Sequence, residues 1–518
     1  MSGFPWITLL TLIPLAGALL VLMPAKGMKS LARGLAVATS STALALTLFL
    51  WHNFDAASGA LQFQERRSWI PALGVEYHVG IDGLGLLMLL LSAMVVLMSI
   101  AAAWNLREHV QLYFSLVLLL EAGLFGTFTA LNFIHWFFFW ELSLIPAFFL
   151  VRLWGGPRRA RAATQFFVYT MVGSIALLLA FLAIFLSTGH FDFIDLAQLA
   201  RNGELIPALA QHLHWHNWTG ARIATWLFWG AFLGFAVKVP IFPFHTWLPS
   251  TYAEAPSSTT MLLTGAMSKM GVYGLLRILL PIFPEQMQHA LTPLLWLAVA
   301  SIVLSAFAAW AQKDLKRILA YSSINHLGYC VLGLLAVLKW TGGDAALATE
   351  KAAALNGVLL QMFNHALTAA TLFWFVALLE KRSGGLRGLD DFGGLRKIAP
   401  VFSGFMGIAL FSSLGLPGLN GVPGEFLIFK GAFPLVTWAS VLAVIGLLMT
   451  AVFLLMILER VFFGPLNERW ALLPDLTNGE RLVLLPALAL MFALGVYPQL
   501  ILGTVNQTVV QLISQMRF

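Results

Sequence analysis

The sequence predicts an all-α polytopic membrane protein of about fourteen transmembrane helices, built as two inverted five-helix repeats with helices 7 and 12 discontinuous. Three observations carry this prediction. Hydrophobic residues make up 59% of the 518 residues and charged ones only 10%, whereas an ordinary globular domain is about one quarter charged. Apolar runs of about 20 residues, the length that crosses a bilayer as a helix, recur along the chain. Two of these runs are dense in proline and glycine beside an ionisable side chain.

The predicted spans cover residues 6–23, 35–51, 84–103, 112–130, 133–151, 163–187, 223–242, 259–280, 290–311, 318–338, 354–379, 401–433, 438–458 and 482–502. The first has no basic region before it and no small-residue cleavage site after it, so it reads as a retained helix and not as a signal peptide. Between the second and third, polar residues mix with Trp69, Ile70 and Val75 around Pro71 and Gly74, the pattern of an extramembrane hairpin. From Phe191 to Trp218 apolar residues recur at helical spacing among Asp192, Asp195, Arg201 and Glu204, which predicts amphipathic helices on the membrane face. Four units follow: 1–111 with the first three helices and the hairpin, 112–280 and 290–463 as the two repeats, and 464–518 as helix 14 and a tail.

The net charge of +7 comes from basic residues in short loops, which is the signature of topology control and leaves no patch for nucleic acid. Nineteen of the 30 lysines and arginines fall on one side, Lys26, Arg158 and Lys316 among them. Seven, including Arg66 and Arg517, fall on the other. The remaining four, Lys238, Lys269, Arg277 and Lys430, lie inside spans. By the positive-inside rule both termini face away from the cytoplasm. Cys330 is the only cysteine, which excludes disulfide frameworks, Fe-S clusters and Cys-ligated zinc within the chain.

Lys238 ends one apolar run and Lys269 sits in the middle of the next. An ammonium at that depth costs several kcal/mol and marks function by default. Pro240 and Pro243 break the helix directly after Lys238. In the twelfth span four glycines or prolines crowd into Gly415 to Gly421, and Pro423 and Gly424 directly precede Glu425. Two broken spans five apart, each with an ionisable residue at the break, match the plan of paired repeats meeting at a midplane ion site.

Three carboxylates also lie inside spans: Glu121, Glu141 and Glu425. Glu141, set among aromatics, needs a partner, because an unpaired buried charge costs far more than an ion pair; Lys238 is the partner expected. Glu121 reads equally as a relay group or as a protonated carboxyl bonded to a neighbouring helix. His326 and His365 are each mid-span beside hydroxyl or amide side chains, and imidazole passes protons near neutral pH. Either could instead be a satisfied core histidine, and a bis-histidine haem is the sharper rival. His245, after Pro243, is a further relay candidate, and His135 near a span end reads as a cap or a headgroup contact. Arg277 near the non-cytoplasmic end is expected to anchor in headgroups, and Lys430 to serve a relay exit or to snorkel. No nucleotide-binding turn, metalloprotease motif or nucleophile elbow is present.

The motifs FFFWELSLIP, GFAVKVPIFPFHTWLP followed by EAP, TGAMSKMGVYGLLR, DLKRILAYSSINHLGY and GVPGEF together resemble the antiporter-like subunits of respiratory complex I, over about Trp69 to Pro498. The resemblance implies that Glu141 and Lys238 form the proton-input pair, that Lys269 is the central lysine, that His326 and His365 connect, and that Glu425 is the terminal acid. A glutamate at that last position favours the NuoM type of the family over the NuoL type. The implied activity is redox-driven proton pumping in a NADH:quinone oxidoreductase, with no redox chemistry in this chain. NADH, FMN, Fe-S clusters and quinone are expected in partner subunits, with NuoL- and NuoN-type subunits as neighbours in a bacterial inner membrane or an equivalent energy-converting membrane. A multi-subunit cation/proton antiporter of the Mrp type and a membrane-bound hydrogenase arm are the alternatives the same motifs admit.

Overall fold

Several helices in this chain start at a side chain that accepts an orphan amide of the first turn. Asp82, Asn132, Asp192, Thr219 and Asp314 cap the helices Gly83–Ala102, Phe133–Trp154, Phe193–Arg201, Gly220–Lys238 and Leu315–Ala336. The Trp6–Leu22 helix has no cap of its own. Glu65, from a distant segment, accepts the amides of Ile7 and Thr8 at 2.7 and 3.1 Å. The computed structural model describes residues 3–25, 27–213, 218–342 and 345–516. Lys26 and Arg517 of the charge tally, and residues 214–217 of the amphipathic segment, lie outside the described residues.

The protein is a polytopic helical membrane protein. Among the described residues, eleven helices are long and apolar enough to cross a membrane, and Trp6–Leu22 and Pro400–Leu414 are shorter apolar helices. The extramembrane hairpin pairs Gln62–Ile70 antiparallel with Val75–Ile81, turning at Gly74 with φ +61°. The amphipathic segment forms the helices Phe193–Arg201 and Leu205–His212.

Two helices stop at an irregular stretch beside an ionisable residue. Gly220–Lys238 ends at Lys238; after an irregular stretch through Pro240 and Pro243 the chain resumes at Trp247–Glu254. Pro400–Leu414 is followed by an irregular stretch with Gly415 and Gly418 at φ +90° and +92°, then by Gly421–Leu435, which carries Glu425. The missing amide of proline and the left-handed glycines are what stop each helix.

Several expectations are corrected. The eleventh span is much longer than 354–379: its helix runs Ala345–Ser383. Residues 482–502 are not one helix, because Pro498 ends Asn478–Val496 and a separate helix, Gln499–Ser514, occupies what was expected to be a tail. Lys316 is not a solvated loop residue but is 3% exposed at the start of its helix. His135 faces no headgroup region; its ring packs edge-on at 4.9 Å against Tyr77 of the hairpin.

Candidate functional site

The helix that carries Lys269 is not a regular α-helix. It starts at Ser257 and passes through two π turns, Leu263–Met267 and Leu275–Leu279, on either side of Lys269. In the first, the Ser268 amide bonds back to Leu263 O instead of Thr264 O. A π turn frees a carbonyl in this way and is frequent at functional sites. The freed Thr264 carbonyl accepts Lys269 Nζ at 2.6 Å and Ser268 Oγ at 2.9 Å. Lys269 is fully buried, and its remaining contacts are Ser268 Oγ at 3.4 Å and His365 Nδ1 at 2.7 Å.

From His365 the line continues to His326, the two rings lying 5.2 Å apart between centroids. His326 Nδ1 is 2.7 Å from Glu425 Oε1, and its Nε2 is 3.1 Å from Ser413 Oγ. Gln361 Nε2 donates to the same Glu425 oxygen at 2.9 Å. A Cβ added at Gly424 would lie within 3.0 Å of the Gln361 backbone, so only glycine lets the broken helix approach closely enough to deliver Glu425. A small cavity lies among His326, Gln361, His365, Ser413 and Glu425. Lys269, His365, His326 and Glu425 thus form one buried file across four helices, from the Lys269 helix through Ala345–Ser383 and Leu315–Ala336 to Gly421–Leu435.

Around the second break, Asn420 is held by Asn364, Ser412 and Thr368. Asn364 Nδ2 donates to Asn420 O at 2.5 Å, and Thr368 Oγ1 lies 3.1 Å from Ser412 Oγ. These polar side chains satisfy an interrupted backbone at membrane depth, which bilayer burial otherwise forbids.

The other sequence candidates stand apart from this file. Lys238, 3% exposed, sits with Nζ 4.6 Å over the Trp140 ring, a cation-π contact. No ion pair joins Glu141 to Lys238 among the described residues, and Glu141 Oε1 has no hydrogen-bond partner. The contact expected between the two is not made. Nor does a hydrogen bond or ion pair link Lys238 to Lys269, although their helices touch where Gly271 meets the backbone of Val239. Glu121 is buried and accepts Ser40 Oγ at 3.1 Å, leaving its second oxygen unpaired. His245 stacks on Phe242 and does not join the file. Lys430 is exposed and lines an apolar cleft that also reaches Glu425. Arg277 does not anchor in headgroups: it pairs with the buried carboxylate of Asp82.

Sequence reasoning missed Gln361, Ser413, Thr264 and Asp82. Gln361 was findable, since it precedes His365 by four residues and shares its helix face. Among the described residues no group of three or more His, Cys, Asp or Glu side chains is arranged to hold a metal ion.

Comparison with known proteins gives consistent results. Residues 130–450 match the family described as NADH:quinone oxidoreductase/Mrp antiporter, TM. The NADH-quinone oxidoreductase subunit M of Rhodobacter capsulatus is 32% identical over 98% of this chain and 96% of the relative. A chain of respiratory complex I from Thermus thermophilus with bound NADH superposes with a TM-score of 0.81 at 28% identity, over 98% of this chain and 99% of that one. A chain of the Mrp complex from Dietzia sp. DQ12-45-1b gives a TM-score of 0.84 at 20% identity, over 99% and 98%, a likeness of fold alone.

Proposed function

This chain belongs to the NADH:quinone oxidoreductase/Mrp antiporter transmembrane family, as an antiporter-like subunit of the complex I type, and from that premise we propose that its buried file conducts protons. It serves as a proton-translocating membrane-arm subunit of a NADH:quinone oxidoreductase. Quinone reduction in partner subunits supplies the free energy, and the chain itself carries out no redox step. NADH, FMN, Fe-S clusters and quinone belong to those partners, among which we place NuoL- and NuoN-type subunits.

The observation that carries this reading is the succession Lys269, His365, His326, Glu425, with 2.7 Å contacts at both ends and the two imidazoles 5.2 Å apart between centroids. Amine, imidazole and carboxylate can each hold or release a proton. Lys238 and Glu141 form the input. A displacement of Glu141 changes the field at Lys238 and drives its proton toward Lys269; the proton then passes through the two histidines to Glu425. Moving one charge against 100 mV requires about 2.3 kcal/mol, and a shift of one pKa unit supplies about 1.4 kcal/mol. A few such coupled steps suffice.

The architecture we propose has fourteen spans in two inverted repeats, 112–280 and 290–463, preceded by 1–111 and followed by 464–518. Its support is that one helix in each proposed repeat is broken beside an ionisable residue. The membrane is the bacterial inner membrane, with both termini non-cytoplasmic.

The test uses the assembled complex in lipid vesicles. Lys238→Ala should abolish proton translocation by this subunit while assembly persists. A wild-type ratio of protons moved to quinone reduced in that variant would overturn the reading.

A further inference from the structure

A partly exposed ionic cluster around the buried Lys316 sits at the start of the Lys269 helix and takes no part in the file. Lys316 Nζ donates to Ala255 O at 3.0 Å and pairs with Glu380 Oε1 at 3.3 Å. The second Glu380 oxygen accepts Ser257 Oγ at 2.9 Å, and Ser257 is the first residue of the Lys269 helix. Arg387 joins Glu380 to Asp314, at 3.5 and 2.7 Å. A surface cleft of about 270 Å³, lined by Arg158, Ser250, Glu254 and Arg317, opens beside it. Glu254 and Arg317 are the chain neighbours of Ala255 and Lys316, so bulk water comes close to the pair.

Between this cluster and Lys269 stands Tyr252. Its hydroxyl is buried and makes no hydrogen bond of ordinary geometry, and it lies near the side chains of Thr264 and Ser268. Ser268 Oγ in turn touches Lys269 Nζ at 3.4 Å. A buried hydroxyl without a partner is rare in a native interior and calls for a reason. Its ring is already fixed by packing against Trp247 and Phe373.

We propose that Glu380, held by Lys316, is a second proton-loading site, and that Tyr252 passes its proton to Lys269 by a route that does not run through Lys238, each turnover drawing on both inputs. The proposal rests on the reading of the file as a proton path. One proton enters from the cleft onto the Glu380 carboxylate and loosens the Lys316 pair. A proton then arrives at the Tyr252 oxygen through water as the hydroxyl proton leaves by Ser268 for a neutral Lys269 amine. The tyrosine is regenerated, and no electron moves. Lys316 is a positioning residue, and Glu380 and Tyr252 carry the proton.

The experiment compares variants of this chain in the whole complex, reconstituted in vesicles and reading protons translocated per quinone reduced. Tyr252→Phe removes only an unpaired oxygen, so a purely structural role predicts no change. Here it should lower the ratio as far as Lys269→Ala does, with Glu380→Gln doing the same and Lys316→Arg retaining the ratio. A wild-type ratio in both Tyr252→Phe and Glu380→Gln, when Lys269→Ala has lowered it, overturns the second route alone. A wild-type ratio in Lys269→Ala overturns the file and this route with it.

Discussion

The ammonium of Lys269 and the imidazole Nδ1 of His365 lie 2.7 Å apart, although the two residues are 96 positions apart in the chain and on different helices. On the proposed reading this contact is the first transfer step of the file. Lys269→Met keeps the length of the side chain and removes both the proton and the donor. Translocation by this subunit should then stop while the complex still assembles, read as vesicle acidification per quinone reduced.

His326 Nδ1 and Glu425 Oε1 lie 2.7 Å apart, and the proposed file runs through both in series. Groups that act in series show strongly non-additive losses. His326→Gln and Glu425→Gln should each reduce translocation, and the double variant should do little further harm. Additive losses in such a cycle would separate the two residues into independent paths.

Glu141 makes no ion pair with Lys238 among the described residues, so on the proposed reading it acts on Lys238 only through its field. Glu141→Gln should therefore weaken translocation less than Lys238→Ala, and with a stronger dependence on the imposed membrane potential. Titrating pumping against an applied potential measures this directly.

Arg277 and Asp82 form a buried pair between the Lys269 helix and the start of Gly83–Ala102. Removing one member of such a pair costs about 3–5 kcal/mol, because the other charge is left uncompensated. Arg277→Met should sharply lower the thermal midpoint of the complex in detergent. Arg277→Met with Asp82→Asn should recover much of the loss.

Glu65 supplies the missing cap of the Trp6–Leu22 helix. Glu65→Ala should destabilise that helix by about 1 kcal/mol. Faster amide exchange confined to its first turn would report the change.

The breaks and the charges beside them were readable from sequence because proline and glycine act locally: each stops a helix whatever surrounds it. The hairpin around Gly74 was readable for the same reason. Partnership was not, since distance between helices depends on packing. Thus Glu141 and Lys238, expected in contact, stand apart, whereas Arg277, expected at the lipid surface, found Asp82. The long Ala345–Ser383 helix was underestimated because its first turns are polar, and hydropathy reports the bilayer's thickness, not a helix's length. Pro498 divides the last segment, and an apolar window running across it concealed that division.

The two π turns around Lys269 have a consequence for how this helix can vary. Each inserts a residue that a regular spiral would not need. Deleting one residue near Leu263 would restore ordinary winding and leave the following side chains on the faces they now occupy, but no carbonyl would be left free to accept Lys269 Nζ. The lysine would keep its azimuth and lose its support, while composition and hydrophobicity stayed almost unchanged. Within this stretch, the number of residues decides how the lysine is held as much as their identity does.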